Sequence, residues 1–223
     1  MNVRDQEEAM HILAINGSPR RTGNTSRIIR AILKGAESDG AETTHVNLHA
    51  INMKGCQGCL SCRKKPGICA QKDDLSPHLE AMKTCDALIL GSPIYMYRIT
   101  GQMKLWLDRC YSLYTPREQG DVGEGYGSAV TSGKPFAMVV SQGAEEDEQY
   151  RRSIRYLAGM GATGLGFVEA GRIVHSSSAA KPAKKDEHLL DEARALGQRL
   201  VAESKNNQAH REALTSPGNL IAS

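Results

Sequence analysis

Short apolar runs alternate with amphipathic stretches along most of this chain. HILAING (His11–Gly17) has the length of a buried strand, and behind it Ile28, Ile29, Ile32, Leu33 and Ala36 recur at helical spacing within Thr25–Ser38. Glu42–His49 is a more polar strand, as suits a sheet edge. A short helix near Pro77–Lys83 precedes Cys85–Pro93, the most strand-like run in the sequence. A helix over Gly101–Tyr114 follows, with Met103, Trp106, Leu107, Cys110 and Leu113 facing inward. Lys134–Gly143 predicts a fourth strand, Asp147–Gly159 a helix and Gly166–Val174 a fifth strand. Leu189, Ala193, Leu196 and Leu200 mark a closing helix over Asp186–Ser204. Strands alternating with helices predict an α/β protein with a doubly wound, five-stranded parallel sheet of order 2-1-3-4-5 between two helical layers. One domain over residues 1–205 is expected. Thr115–Gly133 reads as a surface loop near the site, and the weakly apolar residues 206–223 as a mobile tail.

Composition adds bounds. The 223-residue chain carries a net charge of +3, too little to imply a nucleic-acid partner. No apolar run approaches the roughly 20 residues of a spanning helix. The opening MNVRDQEEAMHILAI places acidic residues ahead of an apolar stretch too short for a signal peptide. A cytoplasmic protein is expected, with neither nucleic acid nor membrane as partner. Disulfides are rare in that compartment. That matters because Cys56, Cys59, Cys62 and Cys69, four of the 6 cysteines, fall within one loop over residues 53–74.

The first strand runs directly into GSPRRTGNTS (Gly17–Ser26), and a helix opens behind it. Backbone N–H groups and the positive end of the helix dipole converge there, so the loop predicts an anion site. It is not a Walker loop: Gly17 and Gly23 are separated by five residues, and Asn24 stands where the lysine belongs. The dinucleotide fingerprint G-x-G-x-x-G is missing too. What remains is rich in hydroxyls, with Ser18, Thr22, Asn24, Thr25 and Ser26 beside Arg20 and Arg21, and suits a phosphate monoester. Ordinary cap and turn residues account for one or two of these, not for five within nine positions. In this topology a ligand binds where the first and third strands diverge. The loops Gly91–Lys104 and Ser141–Asp147 then complete the pocket, and Pro93–Tyr97 suits the edge and face of a planar ring. For Tyr95 and Tyr97, packing and ring binding are equally good readings.

NGSPRRTGNT, then GCQGCLSC, DDL and DALILGSPIYMYRITGQMKLWLDR, in that order, resemble the NAD(P)H-dependent FMN reductase family in its iron–sulfur flavoprotein branch. The likeness covers roughly Ile12 to Gly143 and is loose beyond it. It implies a flavodoxin-like fold with FMN held non-covalently at the C-terminal ends of the strands. The phosphate would lie on Ser18, Arg20, Asn24 and Thr25. The isoalloxazine would lie against Pro93, Ile94, Tyr95 and Met96, with Ser141, Gln142 and Gly143 near the ring from the other side. Such a cofactor carries the redox chemistry itself, and no catalytic acid or base is expected from the chain. Its histidines are scattered, Cys110 reads as core, and Asp108 and Arg109 read as a mutually neutralising pair at a helix end. Backbone N–H groups near Tyr95–Met96 remain to stabilise negative charge on reduced flavin.

The cysteine spacing is C-x₂-C-x₂-C-x₆-C, and three thiols at three-residue steps can face one compact object. Zinc sites usually split their ligands into two separated pairs, whereas ferredoxin-type clusters use this x₂, x₂ run. Gly67 lets the chain turn back so that Cys69 can join, and Lys64 and Lys65 would offset thiolate charge. The spacing favours a [4Fe–4S] cluster on Cys56, Cys59, Cys62 and Cys69, and the branch resembled carries its cluster on such a motif. A loop without metal, as in related FMN reductases, stays open. Two functions follow. One is an oxidoreductase passing electrons from NAD(P)H or a protein donor through FMN to a small acceptor. The other is an FMN and cluster protein exchanging electrons with ferredoxin. The long loops at Met53–Asp74 and Thr115–Gly133 call for cover, so a homodimer or homotetramer is expected.

Overall fold

The computed structural model describes residues 9–116 and 126–215, with side chains over 9–115 and 127–210. β1 (His11–Asn16), β2 (Glu42–Asn47), β3 (Ala87–Tyr95), β4 (Pro135–Ser141) and β5 (Val168–His175) form a parallel sheet in the order β2-β1-β3-β4-β5. The two-residue strand Arg98–Ile99 turns back antiparallel on the end of β3. Side chains alternate along each strand: Leu13, Ile15, Leu88 and Leu90 enter one layer, and Ile12, Ala14, Ala87 and Ile89 the other. Both faces are covered, which is why these strands read as continuous apolar runs. α2 (Ser76–Thr84), α3 (Gly101–Arg109) and α4 (Arg151–Gly159) close the first face through Met82, Trp106 and Leu157. α1 (Asn24–Ser38) and α5 (Glu187–Thr215) close the second. The expected strand order and three layers are present.

Several bounds differ from expectation. The helix expected to close at Ser204 runs 29 residues to Thr215. Burial fades after Val201 and Ser204, but no glycine or proline interrupts the chain before Pro217, so the helix outlasts its apolar stripe. The tail expected from Asn206 is therefore helical as far as Thr215, and residues 216–223 lie outside the described ones. Behind α3, Cys110–Leu113 tighten into a 3₁₀ turn. Of the stretch expected as loop, Tyr114–Pro116 and Tyr126–Ser128 pair antiparallel, and 117–125 lie outside the described residues. Among the described residues no helix is long and apolar enough to cross a membrane.

α1 and α5 touch backbone to backbone. A Cβ at Gly35 would lie 1.9 Å from the Arg194 carbonyl oxygen, and one at Gly197 would lie 1.9 Å from that of Ile32. Neither obstacle is the end of a flexible side chain. Gly35→Ala or Gly197→Ala must push the helices apart, at the upper end of overpacking costs, about 3 kcal/mol. Urea unfolding of each variant measures this. A loss below about 1 kcal/mol would mean that the helices slide past one another freely.

Candidate functional site

The C-terminal ends of the strands open a cleft of about 840 Å³. Its floor is fixed where β1 and β3 diverge. Gly17 donates its N–H to the Gly91 carbonyl at 2.8 Å, and the Thr100 hydroxyl donates to the Gly17 carbonyl at 2.8 Å. Thr100 also caps α3 by accepting from the Met103 N–H. The loop over Ser18–Gly23 then delivers the chain into α1. That helix starts with no side-chain cap and no acidic residue in its first turn. The first intrahelical bond is donated by Arg27 N–H to the Gly23 carbonyl at 3.0 Å, so the N–H groups of Asn24, Thr25 and Ser26 face an end that an anion can satisfy. Among the described residues the cleft lining carries Arg20, Arg27 and Lys184 and no carboxylate. Its polar, cationic and uncapped end fits a phosphate.

Of the residues expected at the phosphate, Ser18, Arg20, Asn24 and Thr25 all line this cleft. Thr25 is buried and its hydroxyl donates to Ser141 Oγ at 3.0 Å, tying the start of α1 to the end of β4. Asn24 differs from expectation in detail. Its Nδ2 donates to the Ser178 carbonyl at 2.7 Å and its Oδ1 accepts from Ala183 N–H at 3.0 Å. Its side chain is engaged with the loop behind β5, which leaves its backbone N–H for an anion. Of the expected ring contacts, Pro93, Ile94, Tyr95, Ser141 and Gly143 line the cleft; Met96 and Gln142 do not. Gln142 is buried, and its Nε2 donates to the Glu146 carbonyl at 2.8 Å and to Ser176 Oγ at 2.9 Å, stitching the loops behind β4 and β5 together. Ser178, Ala179, Pro182 and Lys184 form a wall that the sequence reading did not include. The signal was available: a fifth strand of this sheet must also end at the cleft.

Ile94 pairs with Ile99 and Tyr95 with Arg98, leaving Met96 and Tyr97 as a two-residue turn with φ of 45° and 67°. Two consecutive left-handed residues are the pattern of a type I′ turn, which favours Asn and Gly. Met96 is 88% exposed, so burial does not offset the strain. α4 holds the turn instead: Ser153 Oγ donates to the Tyr97 carbonyl at 2.7 Å and accepts from Arg98 Nη1 at 3.1 Å.

Cys56, Cys59, Cys62 and Cys69 line one small cavity of about 30 Å³ together with Arg109. Among the described residues, however, no three histidine, cysteine or acidic groups are gathered closely enough to hold a metal ion. The thiols share a cavity without forming a coordination sphere. Arg63 fixes the loop from the side, with Nη2 donating to the Tyr111 and Tyr114 carbonyls at 3.0 and 2.9 Å and its guanidinium 4.5 Å from the Tyr111 ring centre. Hydrogen bonds from the Ser61 side chain and backbone draw the exposed Cys59 thiol below its usual range. Burial pushes Cys85 up to about 12 and raises Cys110 as well, which leaves both unreactive in the core. The expected Asp108–Arg109 pair is not formed. Asp108 accepts from Lys104, and Arg109 reaches across to Asp73.

Residues 10–172 match the family model described as NADPH-dependent FMN reductase. An iron–sulfur flavoprotein of Archaeoglobus fulgidus is 30% identical over 211 residues, covering 89% of this chain and 98% of that protein. A second one from A. fulgidus is 39% identical over 100 residues, and one from Methanocaldococcus jannaschii 38% identical over 100 residues. In these two the match takes in 45% of this chain and 45% and 51% of the relatives, so the chain spans about half their length. Among solved structures, an NAD(P)H:quinone oxidoreductase from Methanothermobacter marburgensis aligns with a TM-score of 0.65 at 16% identity, covering 86% of this chain and 97% of that one. An archaeal flavodoxin aligns with a TM-score of 0.52 at 19% identity, covering 88% and 99%. These likenesses show a flavodoxin-like fold. The chain belongs to the NADPH-dependent FMN reductase family of FMN oxidoreductases, with iron–sulfur flavoproteins among its relatives.

Proposed function

We propose that this chain binds FMN in the cleft at the ends of its strands and works as an oxidoreductase between a nicotinamide or protein donor and a small acceptor. The observation that carries this reading is the uncapped N-terminus of α1 opening into a cleft lined by Arg20, Arg27 and Lys184. The first turn of α1, with Ser18, Arg20 and Thr25, would hold the phosphate. Pro93, Ile94, Tyr95, Ser141 and Gly143 would hold the ring. Bound FMN supplies the hydride and electron chemistry. The chain's part would be to orient the ring, with backbone N–H groups near Tyr95–Met96 stabilising charge on it. The reading extends to a cytoplasmic homodimer or homotetramer.

A second reading rests on the four cysteines around one cavity with Arg109 at its wall. There Cys56, Cys59, Cys62 and Cys69 would hold a [4Fe–4S] cluster, and the protein would exchange electrons with ferredoxin. One anaerobic preparation tests both readings. Iron and acid-labile sulfide are assayed in the parent and in a Cys59→Ala, Cys62→Ala variant, and the flavin absorbance is followed on mixing with NADPH, NADH or reduced ferredoxin. Bleaching by a nicotinamide supports the oxidoreductase. A response to ferredoxin alone, with cysteine-dependent iron, supports the carrier. Flavin that no donor bleaches would sink both.

A further inference from the structure

We infer that His45 is a positioning residue for the phosphate loop, acting through Asn16, and that it must be a neutral Nδ1–H imidazole for the loop to hold the FMN phosphate. The inference rests on the FMN reading above.

Asn16 is the last residue of β1 and is fully buried. Its side chain has three uses. Its Oδ1 accepts the Ser18 N–H at 2.9 Å, and its Nδ2 donates to Ser26 Oγ at 2.8 Å and meets His45 Nε2 at 3.2 Å. Backbone Ser18 can only donate, so the amide oxygen must point to it and the amide nitrogen must point the other way. Ser26 spends its hydroxyl proton on the Arg20 carbonyl at 2.7 Å, so it can only accept from Asn16. Both amide hydrogens are then committed, and His45 Nε2 must be an acceptor. The two residues fixed by this hub, Ser18 at the start of the phosphate loop and Ser26 in the first turn of α1, bracket the segment that would hold the phosphate. The hub thus sets the span in which the first-turn N–H groups of α1 are presented.

A proton on His45 Nε2 would face the Asn16 amide hydrogen donor to donor. Flipping the amide only moves the conflict to the Ser18 N–H, so no orientation satisfies all three partners. His45 meets β1 through Asn16 and feels α1 through Arg30, the charged group acting on the ring among the described residues. Burial and the Arg30 guanidinium both hold the ring below its ordinary range. The neutral form that FMN binding needs is thus populated at neutral pH and lost as pH falls.

The test compares FMN affinity, by quenching of flavin fluorescence, for the parent and for His45→Gln between pH 8 and pH 5. A glutamine Oε1 can accept from Asn16 and does not titrate. Both proteins share any pH effect of the FMN phosphate itself, so the difference isolates His45. The parent should lose more affinity than His45→Gln as the pH falls through the range in which NMR shows His45 taking up its proton. His45→Ala, which leaves the amide hydrogen unpaired, should be weaker than the parent already at pH 8. Long-range ¹⁵N–¹H NMR of the flavin-free parent should show the proton on Nδ1 at pH 8, a readout independent of FMN. Superimposable pH profiles for parent and His45→Gln, or an Nε2–H tautomer, would overturn the role of His45 with FMN binding intact. If neither protein takes up FMN at pH 8, the FMN reading falls and this proposal with it.

Discussion

Thr25→Asp is expected to abolish FMN binding while leaving the fold in place. Thr25 lies in the first turn of α1, is 1% exposed, lines the cleft and donates to Ser141 Oγ. A carboxylate there would occupy the helix end that the phosphate needs. Two unit charges 4 Å apart at an effective dielectric of about 20 repel by about 4 kcal/mol, and the phosphate carries more than one charge. The expected loss is at least about three orders of magnitude in Kd. The helix end favours an acidic group by about 0.3–1 kcal/mol where it is exposed, but at this buried position the carboxylate must also be desolvated, so the folded protein should survive with a net loss of about 1–3 kcal/mol. Two controls make the result specific. Thr25→Ser keeps the hydroxyl and should retain FMN. Riboflavin, which lacks the phosphate, should bind the parent and Thr25→Asp equally weakly. Isothermal titration with both flavins, alongside thermal unfolding of the free proteins, reads all of this. Parent-like FMN affinity in Thr25→Asp would mean that the phosphate sits elsewhere.

The parts of the site legible in the sequence are those in which one short segment carries both the element and its chemistry. His11–Ser26 is such a segment: a buried strand, a hydroxyl-rich loop and a helix start follow within one run of chain, and the N–H groups of α1 face the cleft as that pattern implies. The alternation of apolar runs likewise carried the strand order, because a right-handed crossover leaves few other arrangements. What was not legible depends on pairing across the fold. Asn24 bonds to Ser178 and Ala183, 154 and 159 residues away, and nothing local distinguishes an asparagine that ties a distant loop from one that meets a phosphate. Gln142 was read from its place beside the ring, but its side chain is engaged between two loops whose meeting depends on β4 and β5 being neighbours. Gly35 and Gly197 carry no periodic signal at all, yet they set the closest approach of α1 and α5. Arg109 was read with its chain neighbour Asp108. A helix places adjacent residues on different faces, and Arg109 turns inward while Asp108 stays with Lys104.

That inward turn carries the largest expected effect on stability. The Arg109 side chain is fully buried and grips Asp73 through both nitrogens, Nη1 to Oδ2 at 2.6 Å and Nη2 to Oδ1 at 3.2 Å, while Nη1 also donates to the Lys54 carbonyl at 2.9 Å. Asp73 accepts in addition from the N–H groups of Lys54 and Leu75, each at 3.2 Å. Lys54 and Asp73 are the two ends of the cysteine loop, so one guanidinium on α3 closes that loop at its base. Asp73→Asn leaves a buried cation without its counter-ion and should cost about 3–5 kcal/mol. Removing both charges with packed apolar groups, Asp73→Leu with Arg109→Met, should recover much of that loss, because the cost lies in the orphaned charge. Acid should act on the same contact. Burial raises the Asp73 carboxyl, but the Arg109 hydrogen bonds and the Lys54 and Leu75 N–H groups outweigh it and hold it below its ordinary value. The stabilisation is therefore fully present above the unfolded carboxylate pKa near about 4 and is lost as pH falls through the lower folded value. Urea unfolding of parent and Asp73→Asn from pH 8 down should give a constant difference that shrinks only below about pH 4. A difference under about 1 kcal/mol at pH 7 would show that Arg109 finds other partners, and that the cysteine loop is held by its remaining bonds, those of Arg63 to the tyrosine carbonyls, of Gln71 to the Gly55 carbonyl and of Asn52 with Asp74.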